Sequence, residues 1–221
     1  SAAYLNQNGI RNAKRAYDIS KDLWDLNSKG LVQDISLPLK TTILFSTYYY
    51  KGIDAALKLI ESDSRFISAA DINDTILCQM ASLYLEKGNF EKALELSEKA
   101  IKIDKNSFHA ATFKGLTLVS LAQATAKHAY YQLVPQIDDF SKIESALEAL
   151  KTAKSLFVDG CDEQLLQEVM LAIAACHLWL NRVNEDGFMQ ARNILKDELL
   201  AIEHKKLLSV LDFAALLKNK E

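Results

Sequence analysis

Residues 73–104 read NDTILCQMASLYLEKGNFEKALELSEKAIKID, and this stretch decides the fold of the chain. Its apolar spacing predicts two short helices, and Lys87-Gly88-Asn89 predicts a tight turn between them. Glycine readily adopts the left-handed conformation in which helices commonly end. Alanine at a crossing point lets two helix backbones approach closely. We therefore expect an antiparallel helical hairpin here.

The small and aromatic residues of this hairpin follow a fixed spacing. Tyr84 lies three residues after Ala81, and Gly88 lies four residues after Tyr84. Ala93 follows five residues after Gly88, and Ala100 follows seven residues after Ala93. This pattern resembles one tetratricopeptide repeat, a helix–turn–helix unit of about 34 residues. The resemblance implies an all-α fold, a right-handed superhelical stack of antiparallel helix hairpins (a tetratricopeptide-like α-solenoid) with about 9–10 helices.

One hairpin cannot bury its apolar face alone, so the chain should contain several repeats. Gly115 lies 34 residues after Ala81, and Ala146 and Ala153 repeat the seven-residue spacing of the central pair. We expect a single domain over residues 1–221: an N-terminal helix (1–35), a degenerate repeat (36–70), the clear repeat (73–107), a repeat (108–158) with an insertion at about 123–140, a degenerate repeat (162–200) and a capping helix (201–221).

The repeats outside the central one are divergent. Alanine anchors at 56, 93, 146 and 191 are separated by 37, 53 and 45 residues, so only the first interval is near the plain period. In the 36–70 repeat, Ser46 is assigned the small-residue position and Tyr49 the aromatic position. At least one residue of the Tyr48-Tyr49-Tyr50 run is expected in the core.

Local signals place several helix ends. Ile10, Ala13, Tyr17, Ser20 and Trp24 form one apolar stripe of a helix that ends near Gly30. Capping residues are expected at Ser36, at Asp71 or Asn73, at Ser107 and at Asp162. Residues 141–144 read SKIE, which predicts a capping box that starts a helix.

Composition narrows the class of protein. The chain has 221 residues, of which 49% are hydrophobic and 25% charged, with seven glycines and two prolines. Such sparse turn residues favour helices over strands. The net charge of −3 does not favour non-specific binding to nucleic acid or to an anionic membrane. Cys78, Cys161 and Cys176 are expected to be reduced thiols, mostly buried, in an intracellular protein.

No catalytic, cofactor-binding or metal-binding motif is found, since the sequence contains no glycine-rich phosphate loop, no GxSxG and no HExxH. The adjacent Cys176 and His177 point about 100° apart on a helix, a poor geometry for sharing a metal ion. We expect a protein that is not an enzyme and uses no cofactor, although a site assembled across the fold would escape this test.

The resemblance implies a partner-binding groove lined by the first helix of each hairpin. The groove positions of the central repeat are Thr75, Cys78, Ser82, Leu85 and Glu86, and those of the next repeat are His109, Thr112, Leu116, Val119 and Ser120. One subclass of the family clamps acidic peptide tails with Lys and Arg at two such positions. Those positions hold His109 and Phe113 in this chain, so we expect no such clamp.

Together these features predict a non-catalytic adaptor or scaffold subunit of an intracellular, multiprotein complex, with a partner segment in the groove. The expected location is cytoplasmic, which the sequence does not distinguish from nuclear, without membrane insertion or nucleic-acid binding. The alternative is an α-solenoid assembly subunit, for example of a vesicle coat, that uses its outer surface and ends, with Trp24, Tyr48 and the C-terminal leucines as contact residues. An enzyme on a helical scaffold is the third hypothesis.

Overall fold

The structure is a computed structural model that describes residues 7–31, 37–66, 73–124, 140–158 and 162–180. Within these ranges it is helical and has no strand, which confirms the all-α prediction. The helices are α1 (Gln7–Ser28), α2 (Leu37–Lys51), α3 (Ile53–Ser62), α4 (Asp74–Lys87), α5 (Phe90–Ile103), α6 (Phe108–Ala124), α7 (Ser141–Leu156) and α8 (Glu163–Leu180), with a 3-10 helix at Ser64–Phe66. The chain divides into two compact units, Ser1–Lys105 and Asn106–Glu221.

The central hairpin of the N-terminal unit has the predicted construction. Asn73 caps α4, because its Oδ1 accepts a hydrogen bond from the Ile76 amide at 2.9 Å. Gly88 ends α4 with φ +82°, and its amide donates to the Leu85 carbonyl at 3.0 Å. Asn89 then caps α5 through the Lys92 amide. Two residues therefore suffice to reverse the chain, and α4 and α5 pack against each other as an antiparallel pair.

The anchor residues of this hairpin occupy its core. Ala81, Ala93 and Ala100 have no exposed surface. Tyr84 is 7% exposed, and its hydroxyl donates to Glu61 of α3 at 3.2 Å. Small side chains at the crossing leave room for close backbone approach, while the tyrosine ring fills the space toward the preceding helix.

The expected register of the preceding repeat is wrong at its aromatic position. Tyr49 is 49% exposed, whereas Tyr84 is buried. The buried residues of α2 are Lys40, Ile43, Leu44, Ser46 and Thr47. An offset of 37 residues, the interval between Ala56 and Ala93, places Leu44 opposite Ala81 and Thr47 opposite Tyr84. The buried faces of α2 and α4 then coincide, so these two helices are equivalent at this offset.

Helix α1 packs on α2 through the predicted stripe. Ser20 and Trp24 are buried, and the Ser20 Oγ lies 3.2 Å from the Ser46 Oγ. The Trp24 ring stacks on Phe66 with centroids 4.9 Å apart, and its Nε1 donates to Asp63 at 2.8 Å. The Arg65 guanidinium lies over the same ring. Trp24 is therefore a core residue, as the apolar stripe predicts, and not the contact residue that the alternative assembly hypothesis makes of it.

In the C-terminal unit, α6 packs on α7 and α7 packs on α8. Ala146 and Ala153 have no exposed surface, and Gly115 is buried at the contact with Leu150. A β-carbon built on Gly115 would lie 2.5 Å from Leu150 Cγ and 3.3 Å from the Leu150 backbone nitrogen. The close approach of α6 and α7 therefore requires glycine at this position.

Two of the predicted caps in this unit are present, and one is not. Ser107 accepts from the Ala110 amide, and Asp162 accepts from the Leu165 amide. The capping box at 141–144 is wrong, because α7 has Phe140 at its N-cap position without a side-chain cap bond. Ser141 is already the first helical residue, so its hydroxyl cannot occupy the N-cap position.

Several predictions lie outside the described residues. They are the cap at Ser36, the alternative cap at Asp71, Cys161, the 125–139 part of the insertion, the second half of the 162–200 repeat and the capping helix at 201–221.

Candidate partner-binding groove

The groove residues predicted on α4 differ in exposure. Thr75 and Glu86 are exposed, Ser82 and Leu85 are half-buried, and Cys78 is buried. The open face of α4 is the line Thr75, Gln79, Ser82 and Glu86, spaced at i, i+4, i+7 and i+11. Gln79 therefore belongs to the candidate groove, although the register implied by the resemblance omits it.

The groove residues predicted in the C-terminal unit also separate into two groups. His109 is exposed, and Leu116 and Ser120 are half-buried. Thr112 and Val119 are buried, so these two side chains are not presented at the surface in this structure. His109 and Phe113 stand at the two positions where that family subclass has its clamp residues. The His109 ring packs edge-on against Phe108, and Phe113 is half-buried.

Helix α2 presents a face equivalent to the open face of α4. Pro38, Thr42, Phe45 and Tyr49 are exposed, and the 37-residue offset places them opposite Thr75, Gln79, Ser82 and Glu86. Sequence reasoning missed Phe45 and treated Tyr49 as an aromatic core position, since large aromatic side chains are usually buried. The alanine interval of 37 is the signal that identifies both as surface residues.

These faces border an open pocket of about 480 Å³ in the N-terminal unit. Its wall on α1 is made of small and amide side chains, its wall on α2 carries hydroxyl and aromatic side chains, and α4 contributes one amide. The lining residues are Asn12, Ala13, Ala16, Thr41, Thr42, Phe45, Ser46, Tyr49 and Gln79. The pocket is therefore apolar and aromatic with a few polar groups, a composition typical of binding sites.

The polar groups of the pocket differ in how they are satisfied. The Thr41 and Thr42 hydroxyls both donate to the Pro38 carbonyl, at 2.9 and 2.7 Å. The Gln79 Oε1 is buried and accepts no hydrogen bond from the residues the structure describes. An unsatisfied buried acceptor costs about 1–3 kcal/mol. Gln79 thus places an acceptor without a donor among the described residues at the candidate site.

A cluster of aromatic side chains leads from the pocket to α4. The Phe45 and Tyr49 rings stack with centroids 6.3 Å apart, and the edge of Tyr48 meets Tyr49 at 4.9 Å. The Tyr48 hydroxyl donates to both carboxylate oxygens of Glu86, at 2.8 and 3.0 Å. Burial and this carboxylate raise the pKa of Tyr48 to about 12. None of Tyr48, Tyr49 and Tyr50 is fully buried, which corrects the expectation of a core tyrosine.

The thiols and histidines have no arrangement suited to catalysis in the described ranges. Cys78 and Cys176 are buried cysteines outside any disulfide, and burial raises the pKa of Cys176 to about 12. A thiol with that pKa is not a nucleophile at neutral pH. His177 is buried, and burial together with Lys151 lowers its pKa. Among the described residues, no cluster of His, Cys, Asp and Glu could hold a metal ion.

None of the described helices combines the length and the apolar character needed to cross a bilayer.

Comparison with known proteins gives one match. A family model described as Tetratricopeptide repeat matches residues 74–107, the segment that contains α4 and α5. Neither a curated protein nor a solved structure matches the chain significantly.

Proposed function

Because residues 74–107 form a tetratricopeptide repeat, we propose that this chain is a non-catalytic protein-interaction module that holds a partner segment in its groove. Proteins built from this repeat generally bind other proteins and are not enzymes. The observation that carries the proposal is the open, aromatic pocket on the same helix faces that the repeat architecture leaves exposed.

The finer role that we propose is an adaptor or scaffold subunit within a larger intracellular complex, in the cytoplasm. The near-neutral charge balance argues against nucleic acid as the ligand. An extended or helical protein segment suits the groove, because apolar side chains can enter the pocket beside Phe45 and Tyr49.

A second candidate function is an assembly subunit that uses the outer surface and ends of the stack. The observation favouring it is a line of exposed apolar residues on and after α1, namely Ile19, Leu23, Leu26 and Leu31. Such a line marks an interaction surface when it is contiguous.

One experiment tests both functions. The full chain is immobilised as wild type, as a groove variant (Phe45→Ala with Tyr49→Ala) and as an α1 variant (Ile19→Ser with Leu23→Ser). Proteins retained from a cell extract are quantified by mass spectrometry, and circular dichroism confirms that all three are folded. We expect partners that the wild type and the α1 variant retain and the groove variant loses.

The opposite loss, from the α1 variant alone, would establish the assembly role instead. A chain that retains no protein in any form and remains a monomer contradicts both functions.

A further inference from the structure

An aromatic cluster leads from the uncharged pocket of the N-terminal unit to a carboxylate. None of the nine pocket-lining residues is charged. The carboxylate of Glu86 stands at the end of the aromatic cluster, held by the Tyr48 hydroxyl. The adjacent Lys87 points its charge elsewhere, since it pairs with Asp54 of α3. The groove therefore presents a negative charge beside exposed aromatic rings.

We infer that this groove selects a partner segment with a cationic side chain, arginine in particular, placed on the Tyr49 ring beside Glu86. The inference rests on the proposed function and names the chemistry of the segment that the groove would hold. A guanidinium stacks on an aromatic face and donates hydrogen bonds to a carboxylate at the same time.

The geometry supports both contacts. Tyr49 lines the pocket and is 49% exposed, and its ring meets the edge of Tyr48 and the Phe45 ring. Tyr48 donates a single proton to Glu86, so each carboxylate oxygen keeps a free lone pair for a further donor. The hydrogen bond also orients the carboxylate before binding, so the Glu86 side chain loses less conformational entropy when a ligand binds.

The acceptors of the pocket favour the same ligand. Gln79 Oε1 is an acceptor without a donor among the described residues, and the Thr41 and Thr42 hydroxyl protons are already donated to Pro38. A partner segment rich in hydrogen-bond donors would pair with these acceptors. An acidic segment would instead place its charge beside Glu86 and meet like-charge repulsion.

The test uses three synthetic peptides of sequence Ala-Leu-Ala-X-Ala-Leu-Ala with blocked ends, where X is arginine, its neutral isostere citrulline, or glutamate. Binding to the full chain is followed by NMR titration. We expect the arginine peptide to bind about tenfold more tightly than the citrulline peptide, from one stacking contact and one ion pair. The glutamate peptide should bind more weakly than either.

Two variants make the test specific. Glu86→Gln keeps an acceptor for Tyr48 and removes the charge, so the preference for arginine over citrulline should fall to about twofold. Glu91→Gln, which removes another exposed carboxylate, on α5, should leave the tenfold preference unchanged.

The outcomes separate this inference from the proposed function. Equal binding of all three peptides, weakened together by Phe45→Ala, would overturn the cation preference and leave groove binding intact. A preference for arginine that survives Glu86→Gln would also overturn it. Absence of binding by every peptide at millimolar concentration, while the groove variant loses the partners that the wild type retains, would overturn the inference alone. The same absence without a groove-dependent partner would overturn both.

Discussion

The hydroxyl of Tyr48 on α2 donates to the carboxylate of Glu86 on α4, with oxygen–oxygen distances of 2.8 Å to Oε2 and 3.0 Å to Oε1. This bond joins α2 and α4, the first helices of two successive hairpins, near the ends of both helices. It also fixes the position of the carboxylate beside the candidate groove. A structural contact and a charge available to a ligand are thus combined in one pair of residues.

Replacing Tyr48 with phenylalanine should reduce the free energy of unfolding by about 1 kcal/mol, because a hydrogen bond to a charged acceptor is lost. Chemical denaturation measures the change. Tyr50→Phe is the matched control, since the Tyr50 hydroxyl makes no hydrogen bond with the described residues, and it should change stability by less than about 0.5 kcal/mol. Equal losses in both variants would contradict a role for the bond.

The ionisation of Tyr48 should be visible at high pH. Its pKa of about 12 in the folded chain lies above the ordinary value of 10.0. Below pH 10 the hydroxyl is protonated in both states, so its stabilising contribution is complete. Between pH 10 and 12 the unfolded chain loses the proton first, and the contribution falls as the pH rises. The difference in tyrosinate absorbance between the wild type and Tyr48→Phe should therefore titrate near pH 12. A midpoint near 10 would disagree with the structure.

The α6–α7 crossing should not tolerate a methyl group at Gly115. Gly115→Ala should destabilise the chain by about 1–3 kcal/mol, despite the better helix propensity of alanine, because Leu150 is fully buried and cannot move away. Thermal and chemical denaturation measure the effect.

A second background tests the cause of that destabilisation. In a Leu150→Ala chain the Cγ and Cδ2 atoms that meet the new methyl group are gone, so Gly115→Ala should cost much less there. An unchanged cost would show that the crossing of α6 and α7 is not limited by this pair.

Gln79 should be less favourable for stability than an apolar side chain of similar length. Gln79→Met removes the unsatisfied acceptor and should raise the free energy of unfolding by about 1 kcal/mol. Thr117→Val is the control, because the Thr117 hydroxyl is also buried without a partner among the described residues and the side chain has no exposed surface. It should raise stability by a similar amount.

Binding distinguishes these two variants. Gln79→Met should weaken retention of a groove-bound partner, whereas Thr117→Val should leave it unchanged, since residues at binding sites commonly trade stability for function. Unchanged binding by both would place Gln79 outside the site.

The central hairpin could be predicted closely because its signals are local. Asn73, Gly88 and Asn89 act within three or four residues of their own positions, so sequence spacing is enough to locate both helices. The capping box at 141–144 shows the limit of that approach. The pattern is present, yet the helix includes Ser141, and Phe140 takes the cap position.

The groove could be predicted only in part. In α2 the small residue of the crossing is replaced by Leu44, and the aromatic position by Thr47, so residue type alone points to Ser46 and Tyr49 instead. The turn at Gly52 joins α2 directly to Ile53, one residue shorter than the turn between α4 and α5. The expected register is therefore off by two residues, from Leu44 to Ser46 and from Thr47 to Tyr49. Such a shift rotates every side chain of the helix by about 200°, which moves Tyr49 from the core to the surface.

The sequence by itself determined where most of the described helices begin and end, and that one segment is a tetratricopeptide repeat, since caps, turn glycines and apolar periodicity depend on near neighbours in the chain. Tertiary structure alone decided which face each helix leaves open, and therefore that Phe45, Tyr49 and Gln79 line a pocket. The reason is physical: exposure depends on the rotation of each helix against its neighbours, and that rotation is set by contacts between residues far apart in sequence.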